Sequence, residues 1–152
     1  MEIQIVNYQP QYKEDFKRLN IQWISQYFEI EPLDVQQLDH PDEYILSKGG
    51  KIYFAEEKGK IIGTVALKKV TNTKFELSKM AVSPNYQGMG VGRKMGEHLI
   101  EEAKQLGCKT LFLESNQQLV AALKLYKKLG FIEVPVGNTP YSRSNFRGEL
   151  YF

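Results

Sequence analysis

Cysteine and histidine are scarce in this chain of 152 residues, which contains one cysteine, Cys108, and two histidines, His40 and His98. A single cysteine excludes a disulfide framework and a cysteine-rich metal site. The two histidines lie far apart in the sequence, which argues against a zinc site. The sequence therefore predicts that the protein binds no metal, and that Cys108 is a small packed residue and not a nucleophile.

Long apolar runs and an excess of charge of one sign are also missing. No run approaches the length of a transmembrane helix, and residues 1–4 lack the basic start and apolar core of a signal peptide. We therefore expect a cytoplasmic protein that has no membrane partner. The net charge of +2 leaves no electrostatic footprint for nucleic acid, which favours a small partner. The chain length predicts one domain over residues 1–152.

Glycine, in contrast, is concentrated between residues 87 and 93. Gly88, Gly90 and Gly92 occupy every second position there, where side chains would otherwise keep a ligand away from the backbone. Apolar residues at spacings of three and four follow, from Met95 to Leu106, and predict a helix with one buried face. The loop thus delivers free N–H groups at the positive end of a helix dipole, which favours a bound phosphate.

This loop fits neither of two common phosphate-binding patterns. Counting from Gly88 and Gly90, Arg93 stands where the Rossmann pattern G-x-G-x-x-G requires its third glycine. The P-loop pattern G-x-x-x-x-G-K-[ST] fails at the same residue, and no Lys-Ser or Lys-Thr follows it. A tight strand-to-helix turn that binds no ligand is the simpler alternative.

Hydrophobic periodicity predicts the other elements. It indicates a strand over residues 2–6, followed by a helix whose aromatic stripe runs as far as Tyr27. Pro32 would end this element, and a short second helix would begin near Asp39. Strands are predicted over residues 51–56, 60–69, 74–82, 110–114, 131–134 and 146–152, and a further helix over residues 119–129.

Two motifs are similar to those of one enzyme family. Gln87, Gly90 and Gly92 match the Q/R-x-x-G-x-G/A pyrophosphate loop of the GCN5-related N-acetyltransferase (GNAT) family. Residues 122–131, ALKLYKKLGF, resemble the A-x-x-L-Y-x-x-x-G-F segment of the same family. The predicted order of strands and helices is also that of the family, so the resemblance covers nearly the whole chain.

The resemblance implies an α/β fold in which helices flank a central mixed, mostly antiparallel sheet. It also implies a splayed pair of parallel strands at a site for acetyl-CoA, the expected cosubstrate. The backbone of Met80, Ala81 and Val82 would bind the pantetheine arm of acetyl-CoA. The pyrophosphate would be held by the loop residues Gln87, Gly88, Met89, Gly90, Val91, Gly92 and Arg93.

One position departs from the family pattern. The family often carries an asparagine seven residues before the tyrosine of its second motif, but Leu119 stands there in this chain. The nearest asparagine is Asn116. Either Asn116 replaces this cofactor contact, or the contact is missing. The backbone contacts expected at the loop do not depend on side-chain identity.

Glu76 is the candidate general base. An alkylammonium acceptor has a pKa of about 10.4 and must lose a proton before it can attack a thioester. Many family members place a catalytic glutamate on this strand, and strand alternation would put Glu76, Ser78, Met80 and Val82 on one face. A base that acts through water and an ordinary exposed strand carboxylate are the alternatives.

Tyr126 is the candidate general acid, and the resemblance also implies that it contacts the cofactor. Coenzyme A leaves as a thiolate, and a neutral phenol beside the sulfur can donate a proton to it at neutral pH. The alternative is a core tyrosine on an amphipathic helix. Direct transfer by these two groups needs no covalent enzyme intermediate.

Two segments are candidates for the acceptor site. Trp23, Tyr27 and Phe28 form the aromatic end of the first helix, whose stripe otherwise reads as core. The resemblance places Tyr141 and Arg143, in the long loop after the last helix, beside the acceptor cleft. An arginine there could fork onto a carboxylate and would repel a polycation, unless it is an ordinary solvated surface residue.

We therefore interpret the chain as an acetyl-CoA-dependent N-acetyltransferase that acts directly on the primary amine of a small-molecule or amino-acid-like acceptor. A non-catalytic acyl-CoA sensor is an alternative from another class, but it would need neither Glu76 nor Tyr126. A protein or peptide amine is an alternative acceptor, although the nearly balanced charge weakens a histone-type substrate. A homodimer is expected from the resemblance alone.

Overall fold

A computed structural model describes residues 1–152, and a seven-stranded sheet lies at its centre. The spatial order of the strands is β1-β2-β3-β4-β5-β7-β6, and every neighbouring pair is antiparallel except β4 and β5. This confirms the predicted mixed, mostly antiparallel sheet. The strands are β1 Gln4–Asn7, β2 Lys51–Glu57, β3 Lys60–Lys69, β4 Lys74–Val82, β5 Thr110–Ser115, β6 Ile132–Val134 and β7 Phe146–Tyr151.

Five α-helices flank the sheet. None of them is long and apolar enough to cross a membrane. The helices are α1 Lys13–Tyr27, α2 Pro32–Asp39, α3 Pro41–Tyr44, α4 Val91–Gln105 and α5 Val120–Leu129.

The sheet separates two hydrophobic clusters. On one face, Met95 and Leu99 of α4 are fully buried in the larger cluster, which also takes in Tyr126 of α5. On the other face, Phe16 and Leu19 of α1 are buried against the sheet. The spacings of three and four that predict these helices therefore correspond to their buried faces. A sheet covered on both faces can hold a site only at an edge or where its strands separate.

The segment after α1 differs in part from the prediction. The short helix expected near Asp39 is α3, but the prediction that Pro32 only ends the first element is wrong, because Pro32 begins α2. Proline fits the first turn of a helix, where its missing N–H would have no helical partner. The carboxylate of Asp34 accepts a hydrogen bond from the backbone N–H of Glu31 at 2.9 Å and stabilises this N-terminus.

A β-bulge interrupts β4. Thr64 of β3 pairs with Ala81, whereas Ala66 pairs with Ser78, so one residue of β3 lies opposite two residues of β4. Within the bulge, Lys79 has a φ of 54°, a left-handed conformation that is uncommon for a residue other than glycine.

The bulge changes which residues of β4 share a face. Leu77, before the bulge, packs in the larger cluster, and so do Met80 and Val82 after it. The prediction that Glu76, Ser78, Met80 and Val82 share one face is therefore wrong. Because of the extra residue, Glu76 and Ser78 lie on the side of α1, whereas Met80 and Val82 lie on the side of α4.

Candidate active site

The parallel strands β4 and β5 separate part-way along their length. They pair at only three positions, the last of which joins Glu76 to Phe112. Beyond it, β4 stays paired with β3 as far as Val82, and β5 stays paired with β7 as far as Ser115. The sheet is thus continuous on both sides of an opening. From Leu77 onward, the edge of β4 that faces β5 has no strand partner, which confirms the expected splayed pair.

Most of the predicted side chains of the site meet in this opening. Trp23 and Phe28 reach it from the end of α1 and from the residue after it. Tyr126 reaches it from α5, on the other face of the sheet. The predicted residues that line the cleft are Trp23, Phe28, Glu76, Met80, Asn116, Tyr126, Tyr141 and Arg143.

Tyr27 is the predicted acceptor residue that the structure leaves outside the cleft. It is 44% exposed, and its ring contacts the rings of Trp23 and Phe28 at centroid distances of 5.4 and 6.4 Å. Because it lies behind these two rings, it supports them and does not face the cleft. Its assignment to acceptor binding is therefore corrected.

The glycine loop lies between β4 and α4. Gly88 and Gly90 have φ values of +78° and +84°, and no atom lies within 4 Å of the position that a Cβ would occupy on either residue. The loop surface is therefore open to a ligand at the N-terminus of α4, which begins directly after Gly90. The side-chain amide nitrogen of Gln87 donates a hydrogen bond to the backbone carbonyl oxygen of Val82 at 3.1 Å, which connects the loop to β4.

The remaining loop residues have different surroundings. A Cβ on Gly92 would lie 3.1 Å from the side chain of Leu125, so this glycine allows α5 to approach α4. Val91 is buried in the larger cluster, whereas Met89 is exposed. Arg93 is exposed and lies 3.6 Å from Glu97. Val91 can therefore contact a ligand only through its backbone.

Among the residues of α5, only Tyr126 is buried, and its phenol lines the cleft. Burial raises the pKa of Tyr126 to about 12, although the neighbouring Ser115 opposes the shift. Its ring packs edge-on against Phe131 at a centroid distance of 6.3 Å. The phenol is therefore protonated at neutral pH and held in a defined orientation.

Glu76 lies at the point where the strands separate. Burial raises its pKa above the usual value, and the nearby carboxylate of Glu114 adds to this shift. Lys68, whose nitrogen lies 3.6 Å from the Glu76 carboxylate, and Lys79 oppose the shift. A carboxylate with a raised pKa is a stronger base than an exposed one.

Glu114 is a residue of the cleft that the sequence analysis missed. Leu111 and Leu113 of β5 are buried in the larger cluster, so alternation places Glu114 on the opposite face of the sheet, which is also the face of Glu76. The Oε2 atom of Glu114 is buried and has no hydrogen-bond partner. The alternation of apolar and polar residues in β5 could have predicted that Glu114 shares a face with Glu76.

A buried group of charges joins three segments beside the cleft. The carboxylate of Asp34, which is fully buried, accepts two hydrogen bonds of 2.8 Å from Arg143 and one of 2.6 Å from Lys79. Tyr141 lies between the two cations, with its ring centroid 4.9 Å from the Lys79 nitrogen and 4.5 Å from the Arg143 guanidinium carbon. We call these four residues the Asp34 cluster.

The Asp34 cluster changes the interpretation of Tyr141 and Arg143. The two terminal nitrogens of Arg143 already fork onto Asp34, and one of them also donates to Glu31 at 3.2 Å. The hydroxyl of Tyr141 accepts a hydrogen bond from Lys79 at 3.2 Å. The expectation that Arg143 forks onto a carboxylate of the acceptor is therefore corrected, because that fork is occupied within the protein.

Asn116 is also held by the protein itself. Its amide nitrogen donates to the carbonyl oxygen of Arg143 at 2.7 Å, and its amide oxygen accepts from the backbone N–H of Gln118 at 2.8 Å. These bonds fasten the loop between β6 and β7 to the end of β5. A cofactor contact through Asn116 stays a prediction, with one amide hydrogen left to make it.

The comparisons with known proteins agree with this geometry. The model of the acetyltransferase (GNAT) family matches residues 14–131. This chain belongs to the GNAT family. The ribosomal protein bS18-alanine N-acetyltransferase of Escherichia coli K12 is 38% identical over 82 residues, which cover 54% of this chain and 55% of that enzyme. The chain thus spans about half the length of the curated relatives it matches.

Solved GNAT structures share the fold over the full chain. An acetyltransferase of the GNAT family from Staphylococcus aureus Mu50 superposes with a TM-score of 0.89 at 23% identity, and the match covers 99% of each chain. A GNAT family acetyltransferase from Elizabethkingia anophelis with acetyl-CoA bound superposes with a TM-score of 0.69 at 19% identity, covering 99% of this chain and 98% of the other. At these identities the likeness establishes the fold.

Proposed function

We propose that this GNAT protein is an acetyl-CoA-dependent N-acetyltransferase that transfers the acetyl group directly to a primary amine. The observation that carries the proposal is the meeting of Glu76 and Tyr126 in one cleft, at the point where β4 and β5 separate. One group is suited to accept a proton and the other to donate one. A module that only senses acyl-CoA would need neither.

The residues around the cleft fit acetyl-CoA. The unpaired edge of β4, which includes Met80, offers backbone groups to the pantetheine arm. The open glycine loop at the N-terminus of α4 suits a pyrophosphate, because Gly88 and Gly90 leave the backbone uncovered. Acetyl-CoA supplies an acetyl thioester, whose carbon–sulfur bond breaks as the new carbon–nitrogen bond forms.

In this proposal Glu76 accepts a proton from the ammonium of the acceptor, either directly or through one water molecule. The free amine then attacks the carbonyl carbon, Tyr126 donates its proton to the departing sulfur, and the second proton that the nitrogen loses restores the Tyr126 phenol, directly or through water. The raised pKa of Glu76 reduces the difference between its pKa and that of the acceptor ammonium, which is about 10.4. The raised pKa of Tyr126 keeps its phenol protonated at neutral pH. Each group contributes about 10²–10⁴-fold in rate when it is well placed.

Two classes of acceptor are candidates. One is a small-molecule amine. The other candidate is the α-amine of a peptide, which is favoured by the 38% identity to an enzyme named for acetylating an alanine of ribosomal protein bS18.

The test is to incubate the protein with acetyl-CoA and a panel of diamines, polyamines, amino acids, antibiotics and an alanine-initiated peptide. Free thiol and acetylated product are both measured. We expect equal amounts of thiol and N-acetylated product with at least one amine. Tight binding of acetyl-CoA without product from any member of the panel would support the sensing module instead.

A further inference from the structure

The cleft contains a carboxylate that forms no salt bridge within the protein. The Oε2 atom of Glu114 is buried there and lacks a hydrogen-bond partner. Arg147 lies directly opposite Glu114 on β7, but its guanidinium bonds to Glu149 at 3.0 Å and stacks on Phe112. Glu114 is half-buried, and leaving its buried oxygen without a partner costs free energy, which a bound cation would recover.

Asn20 provides a second free acceptor in the same cleft. This residue of α1 is 1% exposed and lines the cleft. Its amide nitrogen donates to the carbonyl oxygen of Phe16 at 3.0 Å, which leaves the amide oxygen for the cleft. This oxygen can accept a hydrogen bond from the ammonium group of a ligand.

The two cations that line the cleft are already bound. Lys79 and Arg143 both donate to Asp34, and Arg143 also donates to Glu31, so two carboxylates balance the two cations. Glu76 is paired with Lys68 at 3.6 Å, so the unpaired charge on the wall of the cleft is the carboxylate of Glu114. A carboxylate on the acceptor would find no free cation there, and it would be repelled by Glu114.

Aromatic rings form another part of the wall. Trp23 and Phe28 line the cleft from the end of α1. Such rings pack well against a short aliphatic chain and also attract an ammonium group to their faces. Together with the free acceptors, they describe a site for a ligand with apolar methylenes and positive charge.

We propose that the acceptor is a diamine, a short aliphatic chain with a primary amine at one end and a second ammonium group at the other. This inference rests on the proposed N-acetyltransferase activity. The reacting amine lies towards Glu76 and Tyr126. The second ammonium keeps its protons and is held by the carboxylate of Glu114 and the amide oxygen of Asn20. Glu114 is then a residue that determines specificity.

Three amines of matched length test this proposal. They are 1,5-diaminopentane, 1-aminopentane and 5-aminopentanoate, which differ only in a positive, neutral or negative far end. We expect kcat/KM for acetyl transfer to the diamine to exceed that for the monoamine by about tenfold or more, with the aminopentanoate poorest. Equal rates for diamine and monoamine, or a preference for the aminopentanoate, would overturn the proposal.

The variant Glu114→Gln assigns the preference to one side chain. It keeps the shape of the residue and removes its charge, so the advantage of the diamine over the monoamine should fall by about tenfold. Acetyl-CoA affinity should change little, and the readout is the ratio of the diamine rate to the monoamine rate, because Glu114 also adds to the pKa shift of Glu76. Glu101→Gln, on the exposed surface of α4, is the matched control and should keep the full preference.

Two further outcomes separate this proposal from the proposed function. If Glu114→Gln lowers turnover of the diamine and the monoamine equally, Glu114 acts on the reacting amine, and its role as an anchor is wrong. If no amine gives acetylated product, the N-acetyltransferase activity itself is wrong. Calorimetric titration of 1,5-diaminopentane into protein saturated with coenzyme A adds a readout that does not need turnover, and binding unaffected by Glu114→Gln would also overturn the anchor.

Discussion

Tyr126 carries the most specific expectation for a single residue. Its hydroxyl matters only as the thiolate forms, so Tyr126→Phe should lower kcat by about 10²-fold or more and leave the KM for acetyl-CoA nearly unchanged. Tyr53→Phe is the matched control, because Tyr53 is also buried but its hydroxyl bonds to Glu102, outside the cleft. Steady-state kinetics of both variants check this, and parental turnover by Tyr126→Phe would remove the proposed acid.

The role of Glu76 as a base predicts how the rate depends on pH. Because burial raises the pKa of Glu76, kcat/KM should fall as the pH drops through a value above the usual range of a carboxyl group. Glu76→Gln should remove this acidic limb. Its loss of rate should be large near neutral pH and should shrink towards about pH 10, where the acceptor is a free amine. A pH–rate profile that keeps its acidic limb in the variant would show that another group is the base.

The sequence predicted some of the individual side chains of the site correctly, but it revealed neither the β-bulge in β4 nor the contacts of Asp34. Glu76 and Tyr126 lie on regular stretches whose periodicity is visible in the sequence. The charge of Arg143 appeared available for an acceptor, because nothing in the local sequence shows that it reaches Asp34. The register shift at Lys79 likewise leaves no local pattern, since it depends on pairing with β3.

At the scale of elements, the glycine loop offers a matched pair of variants. Gly90 and Gly59 both have positive φ and open space at the position of a Cβ, but Gly59 lies in the β2–β3 turn, away from the cleft. Glutamate at either position should cost similar backbone strain, about 1 kcal/mol. Only Gly90→Glu should abolish acetyl-CoA binding, as measured by calorimetry. Equal affinities of the two variants would place the pyrophosphate elsewhere.

The Asp34 cluster connects α2, the bulge of β4 and the loop before β7. Asp34→Asn leaves the buried Lys79 without a carboxylate and Arg143 with Glu31 alone, and it should destabilise the protein by roughly 3–5 kcal/mol at neutral pH. Asp39→Asn is a suitable control, because its ion pair with Lys17 is exposed and should contribute little. Urea denaturation measures both.

The acid dependence of this difference is a sharper test. Burial alone would raise the pKa of Asp34, but Arg143 and Lys79 outweigh it and lower the pKa from 3.8 to about 2. A lowered pKa in the folded state means that the stabilisation is present above the unfolded value and is lost as the pH falls through about 2. The difference in the free energy of unfolding between the wild type and Asp34→Asn should therefore decrease towards zero near pH 2. A difference that stays constant with pH would contradict the stabilising role of the ionised Asp34.

The elements were predictable to different degrees for a physical reason. The β2–β3–β4 meander, α4 and α5 follow from local periodicity and turn residues, which need no knowledge of distant contacts. The helix α2 does not follow from such local signals, because a proline can lie after the end of one helix or at the start of the next. Asp34 stabilises the start of α2 through a local bond to the backbone of Glu31, whereas its bonds to Lys79 and Arg143 join residues far away in the sequence, which no local pattern reveals.

At the scale of the whole molecule, the cleft joins the two faces of the sheet. The face of α4 and α5 contributes the glycine loop and Tyr126, while the face of α1 contributes Asn20 and Trp23. The opening between β4 and β5 is the passage through which the two sets of groups meet. The cytoplasmic location, the single domain and the homodimer expected from the sequence stay predictions.

A crystal structure of the protein with acetyl-CoA bound would show whether the cofactor occupies the opening between β4 and β5. We expect the pyrophosphate on the loop of Gly88 and Gly90, the pantetheine arm along the free edge of β4, and the thioester sulfur within hydrogen-bond reach of the Tyr126 hydroxyl. Acetyl-CoA bound away from the opening between β4 and β5, or a sulfur beyond the reach of Tyr126, would contradict this expectation.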